Sequence, residues 1–335
     1  MSATIAGVGT AAGMVAGAAP VTRRVRAYFA PVNRLTGQPT IFDAAQSGRF
    51  DPERPPVPWV DLGWCTGFAR KAGTTVAALR TGAPAVVQSQ VRTEMEATVH
   101  VEFQTWGKLQ LALASGSQQM NLLTTGAGVA PNGSGGVSAT AVPLLTVGGA
   151  STASTLNVGA MAAASFAVGD LLAVDVDYAG QSGFVGSGVT AAWVRRATDV
   201  SGDLNFVRRV TLNVGRVVSI AGGVLGLGGA LIAGAPLAAM QVSRVRGFID
   251  REGGSFFQKW SGLFCMDGEQ GDRVLFHYPR LQAMQSSAET AEALVGRLER
   301  LKLSAAFRAL PTKDASDGET VLCYRSYLPG SMRTV

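Results

Sequence analysis

The chain has 335 residues, of which 47% are hydrophobic and only 16% charged, with 42 glycines and a formal net charge of +6. That length allows one large core or two modest ones, and the low charge with abundant Gly, Ala, Ser, Thr and Val favours strands and turns that lean on neighbours. The basic residues are dispersed, with one small cluster at Arg23, Arg24 and Arg26, which argues against a dedicated nucleic-acid surface.

The opening glycines, Gly7, Gly9 and Gly13, miss the dinucleotide fingerprint by one residue, and no strand precedes them. No basic stretch precedes the first apolar residues, as a secretory signal would require. Residues 1–50 therefore read as an N-terminal arm, extended or ordered on assembly. Four prolines in FDPERPPVPW, Phe50 to Trp59, make an extended connector into the first strand block, WVDLGWCTGFAR.

The clearest periodicity lies in VRTEMEATVHVEF, Val91 to Phe103. Val91, Thr93, Met95, Ala97, Val99, Val101 and Phe103 alternate with Arg92, Glu94, Glu96, Thr98, His100 and Glu102. Period-two alternation predicts one strand of about 40 Å with a dry and a wet face. His100 then lies on the wet face between carboxylates. The period switches in TWGKLQLALASGS, Thr105 to Ser117, where Trp106, Leu109, Gln110 and Leu113 predict a short helix stopped by Ser-Gly-Ser.

Residues 116–167 are rich in Gly, Ser, Thr and Ala and read as an insertion, which divides the rest into 51–115 and 168–335. LLAVDVDY, Leu171 to Tyr178, predicts a strand with Leu172, Val174, Val176 and Tyr178 on one face and Asp175 and Asp177, read as solvated, on the other. VRRVTLNVGRVV, Val207 to Val218, alternates again. Val217 to Met240 has the length of a membrane span and no charge, but its six glycines and Pro236 favour strands or loops inside an assembly, without stable membrane insertion. In GDRVLFHYPRLQ, Gly271 to Gln282, Val274, Phe276 and Tyr278 form the expected core face, Arg273, Leu275 and His277 the other, and Pro279 the end of pairing. SSAETAEALVGR is open between helix and strand, and LERLKLSAAFRAL, Leu298 to Leu310, is a final long strand.

Three cysteines (Cys65, Cys265, Cys323) and two histidines (His100, His277) lack zinc-ligand spacing, and no metal or cofactor is expected. An enzyme built on Asp272, His277 and Tyr278 lacks a nucleophile–base–orienter set.

The order of these elements resembles the tail tube (major tail) proteins of tailed bacteriophages, whose relatives form inner tubes of contractile injection systems. WVDLGW (Trp59 to Trp64), Val91–Phe103 leading into the Trp106 helix, MDGEQGDRVLFHYPRLQ (Met266 to Gln282) and LKLSAAFRALP (Leu301 to Pro311) carry the likeness. It implies a mostly β fold: a tail-tube-type β-sandwich or partial barrel with one short flanking helix, long loops and an extended N-terminal arm. It further implies a non-enzymatic subunit of the virion tail, assembled in the host cytoplasm, that forms stacked, hexameric rings around a channel for DNA. Its partners would be itself, tape measure, baseplate or tip, terminator and sheath proteins, with DNA passing transiently. On that basis Arg92, Glu94, Glu96, Thr98, His100 and Glu102 would face the lumen, where the carboxylates repel phosphates. His277 and Arg280 would contact neighbouring subunits. The composition also permits a different class, a secreted or envelope-associated β-rich adhesin.

Overall fold

The computed structural model describes residues 24–33, 36–45, 50–105, 107–123, 142–175, 212–237, 240–252, 259–269, 271–284, 288–293 and 299–329. Strands β1 (Val25–Pro31), β2 (Val60–Thr81) and β3 (Val86–Phe103) precede the helix α1 (Lys108–Ser115). Next come β4 (Gln118–Leu123), β5 (Val142–Pro143), β6 (Thr155–Asn157), the four-residue α2 (Ala160–Ala163), β7 (Leu171–Asp175), β8 (Val214–Ala221), β9 (Val224–Leu227) and β10 (Gln241–Arg251). The chain continues through β11 (Trp260–Asp267), β12 (Arg273–Ala283), β13 (Ala288–Ala293), β14 (Glu299–Ala309), β15 (Thr312–Lys313), β16 (Thr320–Val321) and β17 (Tyr324–Leu328). The fold is mostly β, and its two large sheets are antiparallel.

The first sheet runs β13-β14-β3-β2-β1-β11-β12-β17, and an additional β12–β14 pairing closes its six inner strands into a barrel. Inside lie Ala27, Phe29, Leu62, Val99, Val101, Phe264, Tyr278, Leu303 and Phe307, all fully or almost fully buried. Phe29 packs against Phe264 and Phe307 at ring separations of 5.9 and 5.3 Å. The outer face of β1, β11 and β12 is dry as well, because Phe42, Phe50 and Trp59 from the connector cover Tyr28, Leu263 and Leu275. Two-sided burial explains the nearly continuous apolar runs of these strands.

The closure depends on Pro279, which corrects the expectation that this residue ends the pairing. β12 runs on to Ala283, where Leu281, Gln282 and Ala283 pair with Ala309, Arg308 and Phe307 of β14. A bulge opposite Ser261 shifts the register between β11 and β12 at that point, and a bulge tolerates a residue without an N–H. Ser261 Oγ donates to the Pro279 carbonyl at 2.8 Å. Gly262 permits the close approach, since a Cβ there would lie 2.5 Å from Leu281 Cδ1.

The second sheet runs β4-β10-β7-β8-β9-β6, with β5 also on β10. It encloses a separate core of Leu156, Leu172, Val174, Val217, Leu225 and Val242. The boundary expected at residue 168 falls inside this sheet, between β6 and β7, so the low-charge segment and the strands after it are one unit. Local alternation could not reveal that, because it does not name a strand's partners. Val217–Met240 supplies part of β8, β9 and a turn, with Val217, Leu225, Leu227, Leu231 and Met240 buried. Among the described residues no helix is long and apolar enough to cross a membrane. Val176, Asp177 and Tyr178 lie outside the described residues, as do residues 207–211 of the expected strand Val207–Val218.

The short helix forms as its sequence predicts, although Trp106 lies outside the described residues. Gln110 Oε1 accepts from the Gly107 N–H, and Gly116 ends the helix in the left-handed region at φ 66°. Leu109 and Leu113 enter the barrel core, while Lys108 Nζ donates to Asn121 Oδ1 on β4. The arm expected over 1–50 is corrected from Val25 on: β1 sits mid-sheet between β2 and β11. SSAETAEALVGR contributes β13, a strand.

Candidate functional site

β2 and β3 outrun the barrel. β1 accompanies β2 only as far as Cys65, and β14 accompanies β3 only over residues 98–103. Beyond these points β2 and β3, among the described residues, pair with each other alone, and residues 71–96 are exposed on both faces. At about 3.3 Å per residue the two-stranded ribbon projects some 35 Å. Val76, Leu79, Val86, Val87, Val91 and Met95 are all large exposed apolar residues on it. The expected dry face therefore holds only for Ala97, Val99, Val101 and Phe103, which enter the barrel. Val91 and Met95 fall at the same positions of the sequence alternation but are 50% and 41% exposed.

The ribbon is kinked by three register shifts, at Thr66/Ala69, Thr75/Val76 and Leu79/Arg80. Gly67, with φ 59°, lies in the first. At the second, Thr75 faces Glu94 while Val76 faces Arg92, so Thr93 is the extra residue. Side-chain direction has period two, so the bulge carries Arg92 to the face opposite Glu94. This corrects the expectation that Arg92 shares a surface with Glu94, Glu96, Thr98, His100 and Glu102.

Those five do share a face, but it is not an acidic one. Cross-strand partners project from the same side, which places Lys71 beside Thr98 and Arg308 on the other flank of Thr98. Arg308 Nη2 lies 3.1 Å from Glu96 Oε1, and Lys302 Nζ lies 3.0 Å from Glu102 Oε1. The hydroxyls of Thr75 and Thr66 reach Glu94 and Glu102 at 3.4 Å each. The face thus carries three carboxylates against the cations Lys71, Lys302 and Arg308, a balanced mosaic; His100 is exposed within it. The strand read alone hid the cations, although Lys302 and Arg308 do occupy polar positions of LERLKLSAAFRAL.

His277 is corrected more sharply: it is 2% exposed and has no surface to offer a neighbour. It lies on the outer barrel face, under the connector, where the Phe42 N–H donates to Nε2 at 3.2 Å and Nδ1 lies 3.3 Å from the Gly262 carbonyl oxygen. Its ring stacks on Tyr324 at 5.9 Å and meets Trp59 edgewise at 5.8 Å. Burial pushes its pKa down to about 4. Arg280 serves its own chain too, donating from Nη2 to the Gly37 carbonyl at 2.6 Å.

The residues that invited a catalytic reading do not converge. Tyr278 points into the barrel, opposite His277, and accepts at Oη from Arg70 Nε at 2.9 Å. Burial raises the Tyr278 pKa. Asp272 is buried at the start of β12, beside an open depression of about 410 Å³ lined by Asp267, Gly271, Arg273, Leu328 and Pro329. Arg273 Nε there pairs with Asp267 at 2.5 Å. Among the described residues no three His, Cys, Asp or Glu side chains gather in a way that could hold a metal.

Two sheet edges complete the candidate surfaces. Among the described residues β13 pairs only with β14, and β17 only with β12, which leaves one side of each with unpaired backbone groups. No protein-family model matches the chain, and no curated protein matches it.

Proposed function

We propose that this chain is a structural, non-enzymatic subunit of a bacteriophage tail tube, a tail-tube-type barrel that self-assembles into stacked rings around a DNA channel. The observation that carries the reading is the β2–β3 ribbon. A two-stranded hairpin exposed on both faces is marginal in water, and six large apolar residues on it have no cover among the described residues. Neighbouring copies would supply that cover, burying apolar area that a lone monomer leaves wet. The free sides of β13 and β17, which border the β12–β14 seam, favour the same conclusion, since exposed edges can pair with strands of a neighbouring copy. The virion tail and the tape measure, tip, terminator and sheath partners belong to this proposal.

The β3 wet face modifies the lumen expected from the resemblance. If it lines the channel, its equal numbers of carboxylates and cations present phosphates with a balanced surface rather than a repelling one.

Shortening the ribbon tests the reading. Replacing residues 76–91 by a two-residue Asn-Gly turn keeps every barrel pairing. Sedimentation and negative-stain microscopy should find rings or tubes for the full chain and folded monomers for the shortened one. A full chain that stays monomeric at high concentration, or a shortened chain that assembles as well as the full one, refutes it.

A further inference from the structure

We propose that His277 is an acid-sensitive latch for the strap formed by residues 36–45 and 50–59, which it holds against the outer face of the barrel. The strap covers Tyr28, Leu263 and Leu275 with Phe42, Phe50 and Trp59. Its polar tethers are few. The Tyr28 hydroxyl donates to the Pro52 carbonyl at 3.2 Å, Arg280 holds the Gly37 carbonyl, and Arg26 holds Glu53 at 2.5 Å. The Thr40 hydroxyl donates to the Pro31 carbonyl of β1 at 3.0 Å, and the Phe42 N–H donates to His277 Nε2, the tether that ends on an imidazole.

That last bond fixes the chemistry. Nε2 accepts, so the ring proton sits on Nδ1, directed at the Gly262 carbonyl. A second proton can go only to Nε2, where it would confront the Phe42 N–H. The ring cannot turn to avoid this, because Tyr324 stacks on one face and Phe42 and Trp59 meet it edgewise. Protonation therefore breaks the tether and leaves a cation buried among rings, and opening the strap relieves both.

Among the described residues the surroundings neither supply a counter-charge nor compete for the transition. From β17 the ring faces Tyr324, whose hydroxyl donates to Asp314 at 2.6 Å and whose pKa burial raises to about 12. Asp314 is held down to about 2 by its bonds to Ser316 and Tyr324, so it stays ionised. β11 presents the Gly262 main chain and, in the same cluster, Cys265, raised to about 12 by burial. From β1 comes Tyr28, also raised by burial, and on β12 itself Arg280 is bonded to the Gly37 carbonyl. The strap presents Phe42 and Trp59 to the ring, and its own carboxylate tether, Glu53, is lowered by Arg26.

The test follows hydrogen exchange of strap amides in the full chain from pH 7 to pH 4, corrected for intrinsic rates. A His100→Gln background leaves His277 as the one imidazole signal. With the ring at about 4 when latched and 6.5 when released, strap opening should increase about a hundredfold over that range. The His277 resonance should titrate with a midpoint near 4, while β11 and β12 stay protected. In His277→Gln, whose amide can accept from Phe42 and donate to Gly262 without titrating, strap exchange should stay flat. The proposal falls if the strap stays closed at pH 4, if strap and barrel open together, or if His277→Gln responds to acid as the parent does. Should that variant not fold, the His100→Gln protein alone decides: a ring that titrates near 6.5 without strap opening overturns the latch.

Discussion

Val99→Ala and Val91→Ala make the same change on the same strand, at positions that sequence periodicity assigns to one dry face. Val99 is 0% exposed inside the barrel, whereas Val91 is 50% exposed on the ribbon. Removing two buried carbons costs about 1.6 kcal/mol in transfer at about 0.8 kcal/mol each. A residual void of roughly 50 Å³ adds about 1.2 kcal/mol at about 24 cal/mol/Å³. Val99→Ala should therefore lower unfolding stability by about 2–3 kcal/mol, and Val91→Ala by no more than about 0.5 kcal/mol. Urea denaturation at concentrations that keep the chain monomeric measures both from the midpoint at a common slope. In assembly the ranking should reverse, with Val91→Ala raising the concentration needed to form rings. Equal losses for the two monomers would mean that the ribbon is packed within its own subunit, and the argument from its exposure would fail.

Gly262→Ala should destabilise by about 1–3 kcal/mol through overpacking, since its Cβ would meet Leu281 Cδ1 at 2.5 Å; a thermal melt tests it. Burial raises Cys65 and Cys265 to about 12, so at pH 8 neither should react with a thiol reagent in the folded chain, and both should react after denaturation. For His277 the folded pKa lies below the unfolded value of 6.5, so its contribution is complete above pH 6.5 and is lost as pH falls through about 4. At about 1.4 kcal/mol per unit that loss is on the order of 3 kcal/mol, and His277→Gln should remove this part of the pH dependence measured by denaturation. The ion pairs Glu96–Arg308 and Glu102–Lys302 are exposed enough that breaking either should cost under about 1 kcal/mol.

GDRVLFHYPRLQ shows how far the chain could be read in advance. Its strand and the alternation of Val274, Phe276 and Tyr278 against Leu275 and His277 are local, and they are present. That the second set is also buried depends on the strap, which joins β12 from more than 200 positions away. Pro279 looked like an end because the bulge opposite Ser261 belongs to another strand. Arg92 went astray similarly, since a bulge at Thr93 is defined by what β2 places across from it.

Local pattern alone fixes the mostly β class, the short helix after β3, the long strand Glu299–Ala309, although three short strands follow it, and the wet side of β3 from Glu94 to Glu102. Each follows from steric and solvation preferences within a few residues. Contacts in three dimensions set the closure of six strands into a barrel, the joining of β4 through β10 in a second sheet, the neutral mosaic on the wet face and the burial of His277. These rest on contacts between distant segments, and a side chain's period along its own strand does not specify what comes to lie against it.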